Sequence, residues 1–570
     1  MPGQMFSKLN NSFSKWHILI IIVLTALTYF PASQGSFIFD DNSLIKNNSY
    51  IRESHSAISY LSQEDGIVDE ADKGVYHTGY YRPFTNFTYH FDYLLWGMDA
   101  KGFRITNIAL HILNALLLYL LINYLFSNRT AAFFSSLIFA LHPVSTEAVS
   151  VVINRNNLLA VLFFLSSFYC YLQSMEKEKN GLLFLSVFLF GLSVFSKEIG
   201  IMGLGVFFLY NRIIPSEKRN IRNESLSYLP YILVILIYMI MRSYVTGPYF
   251  VRLDLNDMLM RIYYVPWLLC YNLFIILLPW RLHSYGVSYP TYSANIAAVA
   301  SIIIFIAAVI FIILWRKKYK VLAFSSGAFF AALLPTLNIM PKASISLIAL
   351  RWLYLPLIFV AVLTAWLVKS VKKERQEMFF TILTIIICYF GMYSFIMNRY
   401  HWYNEKIFLT QEVNNFKNKM YIESYATLLY KEKNIDEAAE YYLMAINANP
   451  TQPGSYIGYA SLLIINKGRI EEAYDVLKRA EKSGKMSSGE RLEWLNLMGI
   501  VKINQGKSKE ALNYLFEAIS IEKNPEVYNS ICLAYMALKE NDKALFYLKK
   551  GLELDAKNEI LIGNLKKLTQ

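Results

Sequence analysis

The sequence predicts an all-α protein: a polytopic bundle of membrane helices followed by a helical-repeat solenoid. Three observations carry this reading. Hydrophobic residues fill 55% of the 570 positions and charged residues only 17%, where a soluble domain carries roughly 25% charged. Apolar runs of membrane-crossing length recur through the first two thirds of the chain. From about Tyr421 the pattern turns to charged, amphipathic helices that repeat roughly every 34 residues. A wholly soluble enzyme and a disordered scaffold are both excluded. Aromatic residues, 16% of the chain, suit the boundary between lipid and water.

The first apolar run, His17 to Phe30, follows Lys8 and Lys15 and reads as an uncleaved anchor, because the small residues Ala32 to Ser36 form a weak cleavage pattern. Further runs begin near Phe103, Ala131, Leu158, Leu182, Ile199, Leu229, Ile262, Ala297, Val321, Trp352 and Phe379. The basic loops Arg212 to Arg222, Arg316 to Lys320 and Lys369 to Arg375 mark the cytoplasmic side, together with the N-terminus. Much of the net charge of +13 sits in such loops, so no nucleic-acid partner is expected. Two inward loops require an even number of crossings between them, yet three apolar runs separate Arg212 from Arg316. Arg261 to Trp280, with Pro266 and Pro279, is therefore expected to be re-entrant or interfacial. About eleven spans remain. Residues 1–397 form the membrane domain, with 36–102 as a large outside loop carrying short surface helices. Residues 398–570 form the outside repeat domain. The four cysteines have neither metal-ligand nor disulfide-framework spacing.

The repeat rests on four similar turns, which place Ala438, Ala473, Ala511 and Ala544 at steps of 35, 38 and 33 residues. Small residues are needed where paired helices approach closely. The spacing is that of tetratricopeptide (TPR) repeats, whose stacked helix pairs bind extended peptides or partner proteins.

Ionisable residues at bilayer depth cost roughly 2.5–3.5 kcal/mol on insertion scales, so each needs a reason. Here they collect at the outside ends of spans. Asp40 and Asp41 follow the first span, and Arg82 lies in the same loop. Asn107, His111 and Asn114 share one face of the second span. His142 and Glu147 flank Pro143, and Arg155 follows. Lys197 and Glu198 connect two apolar runs, and Arg351 and Tyr354 open a later one. Acids and cations on one membrane face suit an anionic lipid head group and a hydroxyl acceptor. Arg and Lys hold phosphate oxygens, and a carboxylate takes the acceptor proton.

These motifs, in this order, resemble the GT-C glycosyltransferases, and most of all the transmembrane and tetratricopeptide-repeat O-mannosyltransferase-like (TMTC) type and its bacterial relatives. The matching stretches are Phe39-Asp40-Asp41 with Asn47, Tyr81-Arg82-Pro83, Asn107 to His111, Leu141-His142-Pro143 with Glu147, Ser196-Lys197-Glu198, Arg351 with Leu353-Tyr354-Leu355-Pro356, and Trp402. The resemblance implies a polyprenyl-phosphate sugar donor, a luminal or periplasmic site, and Asp40 or Asp41 as general base. Arg82, Arg155, Lys197, Arg351 and Tyr354 become donor-phosphate or substrate ligands. Asn107, His111, His142, Glu147 and Glu198 become supporting residues. An inverting, metal-independent reaction without a cofactor is expected, with a protein or glycan acceptor and with membrane lipids and a TPR-bound protein or peptide as partners. Three acids of the family pattern are missing, at Leu350, at Asn157 and in Ser284-Tyr285-Gly286. A bacterial inner membrane is the expected location, with the endoplasmic reticulum as the alternative. Two other functions compete. A non-catalytic membrane-anchored TPR assembly protein would need only the repeats. A transporter would show two repeated halves, and none are visible.

Overall fold

A computed structural model describes the chain apart from residues 1–14, 54, 56, 63–65, 69–74, 78–79, 215–224, 248–254, 284–294, 338, 340–347, 417–418 and 570. Part of the basic loop Arg212 to Arg222 and all of Ser284-Tyr285-Gly286 therefore lie outside the described residues. The chain forms two compact units, Met1–Ile67 with Tyr76–Phe408 and Val68–Val75 with Leu409–Gln570.

The first unit is a helical bundle. Its helices are α1 (Lys15–Ser33), α2 (Ala57–Leu61), α3 (Pro83–Trp96), α4 (Ala100–Phe126), α5 (Arg129–Leu141), α6 (Thr146–Ser150), α7 (Arg155–Lys177) and α8 (Asn180–Ser196). There follow α9 (Met202–Ile213), α10 (Leu229–Thr246), α11 (Leu255–Leu277), α12 (Asn295–Trp315), α13 (Lys320–Leu333), α14 (Leu357–Ser370) and α15 (Gln376–Tyr400). Every apolar run read from the sequence is a helix. Among the described residues, seven helices are long and apolar enough to cross a membrane, or eight if the bent pair of α5 with residues 143–150 is one span. The count of eleven is not reproduced by that criterion, because α8, α13 and α14 are shorter apolar helices. The protein is an integral membrane protein.

Local chemistry sets the boundaries that matter. Asp99 caps α4 by accepting from the Lys101 amide at 3.0 Å. The Asn128 side chain accepts from the Ala131 amide at 2.8 Å and starts α5. Pro143 cannot continue α5, and the chain bends there by 51°. That bend turns Glu147 inward. Pro266 behaves differently. It lies inside the continuous helix α11, whose part Met258–Leu277 is long and apolar enough to span. The segment Arg261 to Trp280, expected to be re-entrant or interfacial, is a continuous helix as far as Leu277: the 20 residues of Met258–Leu277 rise about 30 Å, long enough to span, and a proline is tolerated where neighbouring groups satisfy the freed carbonyl. If all three intervening helices cross, the Arg212 and Arg316 loops lie on opposite sides.

The first loop holds short helices with one small strand pair, Gly66–Val68 with Val75–His77. Its anchor is an apolar cluster of Phe37, Ile45, Ile51, Tyr89, Phe103 and Val152. Burying such side chains is worth roughly 1.5–3 kcal/mol each, enough to hold the loop onto α3 and α4.

The second unit contains nine described helices: α16 (Ile422–Lys431), α17 (Ile435–Ala448), α18 (Pro453–Lys467), α19 (Ile470–Ser483), α20 (Ser488–Asn504), α21 (Ser508–Ile521), α22 (Pro525–Ala537), α23 (Asn541–Leu554) and α24 (Glu559–Thr569). Ala438, Ala473, Ala511 and Ala544 are all fully buried. At Gly499 an added Cβ would stand 2.5 Å from Leu515 Cδ2, so close packing of α20 on α21 requires the missing side chain.

Candidate functional site

The acid pair is set by an unusual backbone. Phe39 has φ +46°, a left-handed conformation uncommon for a bulky aromatic residue. The two acids that follow have different surroundings. Asp41 is fully buried. Its carboxylate accepts from the backbone amides of Ile153 at 2.8 Å, Val152 at 3.2 Å and Ile38 at 3.4 Å. Burial pushes it up to about 6, against those hydrogen bonds and Arg104. Asp41 therefore ties the first loop to the turn before α7. Asp40 is only half-buried. Burial raises its carboxyl as well, Arg351 opposes the rise, and Glu147 adds to it.

Glu147, almost wholly buried on α6, holds Arg351. The Arg351 guanidinium pairs with Glu147 Oε1, and the Arg351 backbone amide donates to Oε2 at 2.9 Å. Arg351 sits in the 3₁₀ turn Leu350–Leu353. Across the cluster, Arg82 grips Glu198 with both arms of its fork, Nη2 to Oε1 at 2.7 Å and Nε to Oε2 at 3.1 Å. Its guanidinium also lies 4.2 Å from the Tyr80 ring centroid. Burial alone would raise Glu198, but Arg82 outweighs it and takes the carboxyl down to about 2. Between these pairs stands Lys197, nearly buried at the end of α8. Its Nζ donates to Asn157 Oδ1 at 2.6 Å. Burial pulls this amine down to about 7; Arg82 and Arg351 lower it further, while Glu198 and Glu147 raise it. Asp40, Glu147, Glu198, Arg82, Lys197 and Arg351 thus form one electrostatic cluster of three acids and three cations.

The other sequence candidates lie elsewhere. Arg155, expected at the donor phosphate, is fully buried. It pairs with Asp92 and donates to Asn107 Oδ1 at 2.8 Å and to the carbonyls of Phe103 and Thr88 at 3.0 and 3.1 Å. A guanidinium so committed is part of the scaffold. Tyr354, expected at the substrate, is likewise fully buried. Its hydroxyl meets His111 Nδ1 at 2.7 Å and Asn114 Nδ2 at 3.0 Å. Asn107 supports Arg155. His111 joins Tyr354 to the Ala140 carbonyl at 2.9 Å, and His142 meets the Ile276 carbonyl at 2.9 Å. Sequence reasoning missed Asp92 and Arg104, and it treated Asn157 only as a lost acid. An acid inside the aromatic run Tyr89 to Trp96, and a cation between Phe103 and Ile105, were the available signals. At the missing acid before Arg351, Leu350 is buried apolar packing.

Beside the Arg82 end of the cluster lies an apolar cavity of about 520 Å³. Its walls include Leu61, Pro83, Phe84, Phe188, Phe195 and Ile237, from α2, α3, α8 and α10. Pro83 follows Arg82 directly, and Phe195 lies two residues before Lys197. Among the described residues no group of three or more His, Cys, Asp or Glu is placed to hold a metal ion.

Known proteins match both units. A family model for dolichyl-phosphate-mannose-protein mannosyltransferases matches residues 81–244, the stretch from Tyr81 to α10. A tetratricopeptide-repeat model matches residues 525–558. Human protein O-mannosyl-transferase TMTC3 is 24% identical over 96% of this chain and 65% of its own length. Mouse protein O-mannosyl-transferase TMTC1 is 32% identical over 34% of this chain and 22% of its own. Among solved structures, the archaeal oligosaccharyltransferase AglB from Archaeoglobus fulgidus, in complex with an inhibitory peptide and a dolichol-phosphate, aligns at 11% identity. That alignment covers 68% of this chain and 56% of AglB, with a TM-score of 0.43. The chain therefore has TMTC-type protein O-mannosyl-transferase homologues, and it spans only part of their length, 65% for TMTC3 and 22% for TMTC1.

Proposed function

We propose that this protein is a membrane glycosyltransferase that moves a sugar from a polyprenyl-phosphate donor to a hydroxyl of a protein or glycan acceptor. The observation that carries the proposal is the half-buried Asp40 in the field of Arg351 and Glu147, a pair that also acts on Lys197. In the proposed reaction the acceptor oxygen attacks the anomeric carbon as its proton passes to the Asp40 carboxylate. The bond from that carbon to the phosphate oxygen breaks, and the lipid phosphate leaves as an anion. Attack opposite the leaving group inverts the anomeric configuration. Burial and the neighbouring Glu147 lift the Asp40 carboxyl toward a range better suited to a general base. The cations stabilise the phosphate charge in a site of low dielectric, so the proposal assigns no step to a metal. Glu147 orients Arg351, and Glu198 orients Arg82. The apolar cavity beside Arg82 takes the first isoprene units of the donor. Mannose is the proposed sugar, from the names of the relatives. The repeats recruit the acceptor or a partner. The site opens on the outer face, periplasmic in a bacterial inner membrane or its topological equivalent, the lumen of the endoplasmic reticulum.

The test is release of lipid phosphate by purified protein given a panel of polyprenyl-phosphate sugars and candidate acceptors. Release that disappears in Asp40→Asn supports the reading. Release that persists in Asp40→Asn at the wild-type rate rejects Asp40 as the base. No release with any donor favours the repeat-assembly reading.

A further inference from the structure

We infer that Asn157 is a positioning residue that holds the buried Lys197 side chain in the cluster through a neutral amide oxygen. This rests on the donor-phosphate reading for its consequence, though not for its geometry. The amide of Asn157 has one orientation available. Its Nδ2 donates to the Asn154 carbonyl at 3.1 Å and to Asn156 Oδ1 at 2.9 Å. Both acceptors belong to the turn that opens α7, so Oδ1 is left facing Lys197 Nζ at 2.6 Å. Asn157 and Lys197 are both over nine-tenths buried, so neither hydrogen bond is easily replaced by water.

The electrical consequence follows from what else faces the ammonium. Arg82 and Arg351 repel it, and Glu198 and Glu147 attract it. Both acids are already bound to those same arginines. The nearest partner, Asn157, is neutral: it accepts a hydrogen bond but supplies no counter-charge. Burial, reinforced by Arg82 and Arg351, therefore outweighs Glu198 and Glu147 at Lys197. A carboxylate at position 157 would fit the same space and hold the charge on. The neutral amide instead leaves an amine that takes up full charge when an anionic phosphate arrives beside it. Donor binding then draws a proton from solvent above neutral pH.

The experiment uses the full-length protein in detergent and reads thermal stability between pH 6 and 9, with Lys197→Met as reference. Lys197 titrates near 7 when folded and near 10.4 when unfolded. Its charge is a penalty below pH 7 that lessens as pH rises from there. Wild type should therefore gain on Lys197→Met above pH 7, by up to about tenfold in the folding constant per pH unit. Asn157→Asp should abolish that gain, because its carboxylate restores the charged amine in the folded state. Equal slopes in wild type and Asn157→Asp would overturn the inference. Undecaprenyl phosphate binding over the same pH range separates the two readings. If it weakens above pH 7 in wild type but not in Asn157→Asp, both stand. If stability responds as stated while undecaprenyl phosphate binds wild type and Lys197→Met alike, Asn157 still positions Lys197, and Lys197 is not a donor ligand.

Discussion

Arg155 and Arg351 are two arginines at the ends of apolar segments, and each meets a carboxylate. Arg155 and Asp92 have side-chain exposures of 0% and 2%, and Arg351 and Glu147 of 17% and 2%. The Arg155 guanidinium is wrapped by Asp92, Asn107 and two backbone carbonyls. Arg351 is enclosed only in part, and its field extends to Asp40 and Lys197. The same contrast separates Asp41, bound by three amides, from its neighbour Asp40. The identity of a charged residue does not decide whether it serves the fold or the chemistry. What separates the two arginines is how completely the protein encloses the side chain: Arg155 wholly, Arg351 only in part.

The sharpest way to break this contrast is the acid pair. Asp40→Asn should leave the melting temperature unchanged and cut lipid-phosphate release by about 10²–10⁴-fold, the usual worth of a general base. Asp41→Asn should do the reverse. Its amide cannot accept from three backbone N–H groups, so stability falls by about 1–3 kcal/mol, and transfer per folded molecule holds. Equal behaviour of the two variants would remove the distinction. The arginines give the next largest effect. Arg155→Met strands a buried Asp92 and should cost about 3–5 kcal/mol of stability in a denaturant titration. Arg351→Met strands the equally buried Glu147, so it too should lose stability, but unlike Arg155→Met it should also lower the rate of transfer per folded molecule. A smaller effect is expected from Arg82→Lys, which keeps the charge but loses the two-armed grip on Glu198. About a tenfold rise in KM for the donor, with kcat retained, would match one weakened charge-assisted hydrogen bond. Smallest is an acid titration. Glu198 titrates near 2 in the folded protein and near 4.3 in the unfolded chain. The stability it contributes above pH 4.3 should be lost as pH falls from there toward 2. The gap in melting temperature between wild type and Glu198→Gln should close over that window.

The sequence carried the architecture because hydropathy and small-residue spacing are local. Each apolar run became a helix, and Ala438, Ala473, Ala511 and Ala544 became buried contacts between helices. It carried the list of charged candidates because an ion near an apolar run is conspicuous. The roles within that list were not legible. Glu147 and Arg351 are 204 residues apart, and nothing local to either names the other. Asp40 and Asp41 are chemically identical in sequence, and only the turn before α7 tells them apart. Arg155 was read as a ligand because its partner Asp92 lies in a helix without a motif. Arg261 to Trp280 was read as re-entrant or interfacial from loop charge and its two prolines, whereas its helix is continuous to Leu277 and long enough to cross. Loop charge also gave too strict a parity rule where Ser225–Thr246, Met258–Leu277 and Ala298–Trp315 are all long enough to cross.

Arg104 fixes an order of events. Its buried guanidinium donates from Nη1 to the Ala32 carbonyl at 2.6 Å and to the Trp402 carbonyl at 2.8 Å, and from Nη2 to the Ser36 carbonyl. Ala32 and Ser36 bracket the end of α1, and Trp402 follows α15, 298 residues after Arg104. At a synthesis rate of about 5–20 residues per second, α1 and α4 wait tens of seconds in the membrane before the last carbonyl arrives. Throughout that interval the cation beside Asp41 lacks one of its acceptors, and the loop bearing the acid pair is not yet locked. The site is therefore completed only after the last long helix of the bundle, α15, has been made. A nascent chain stopped before Trp402 should expose that loop to protease, whereas one released just after it should not.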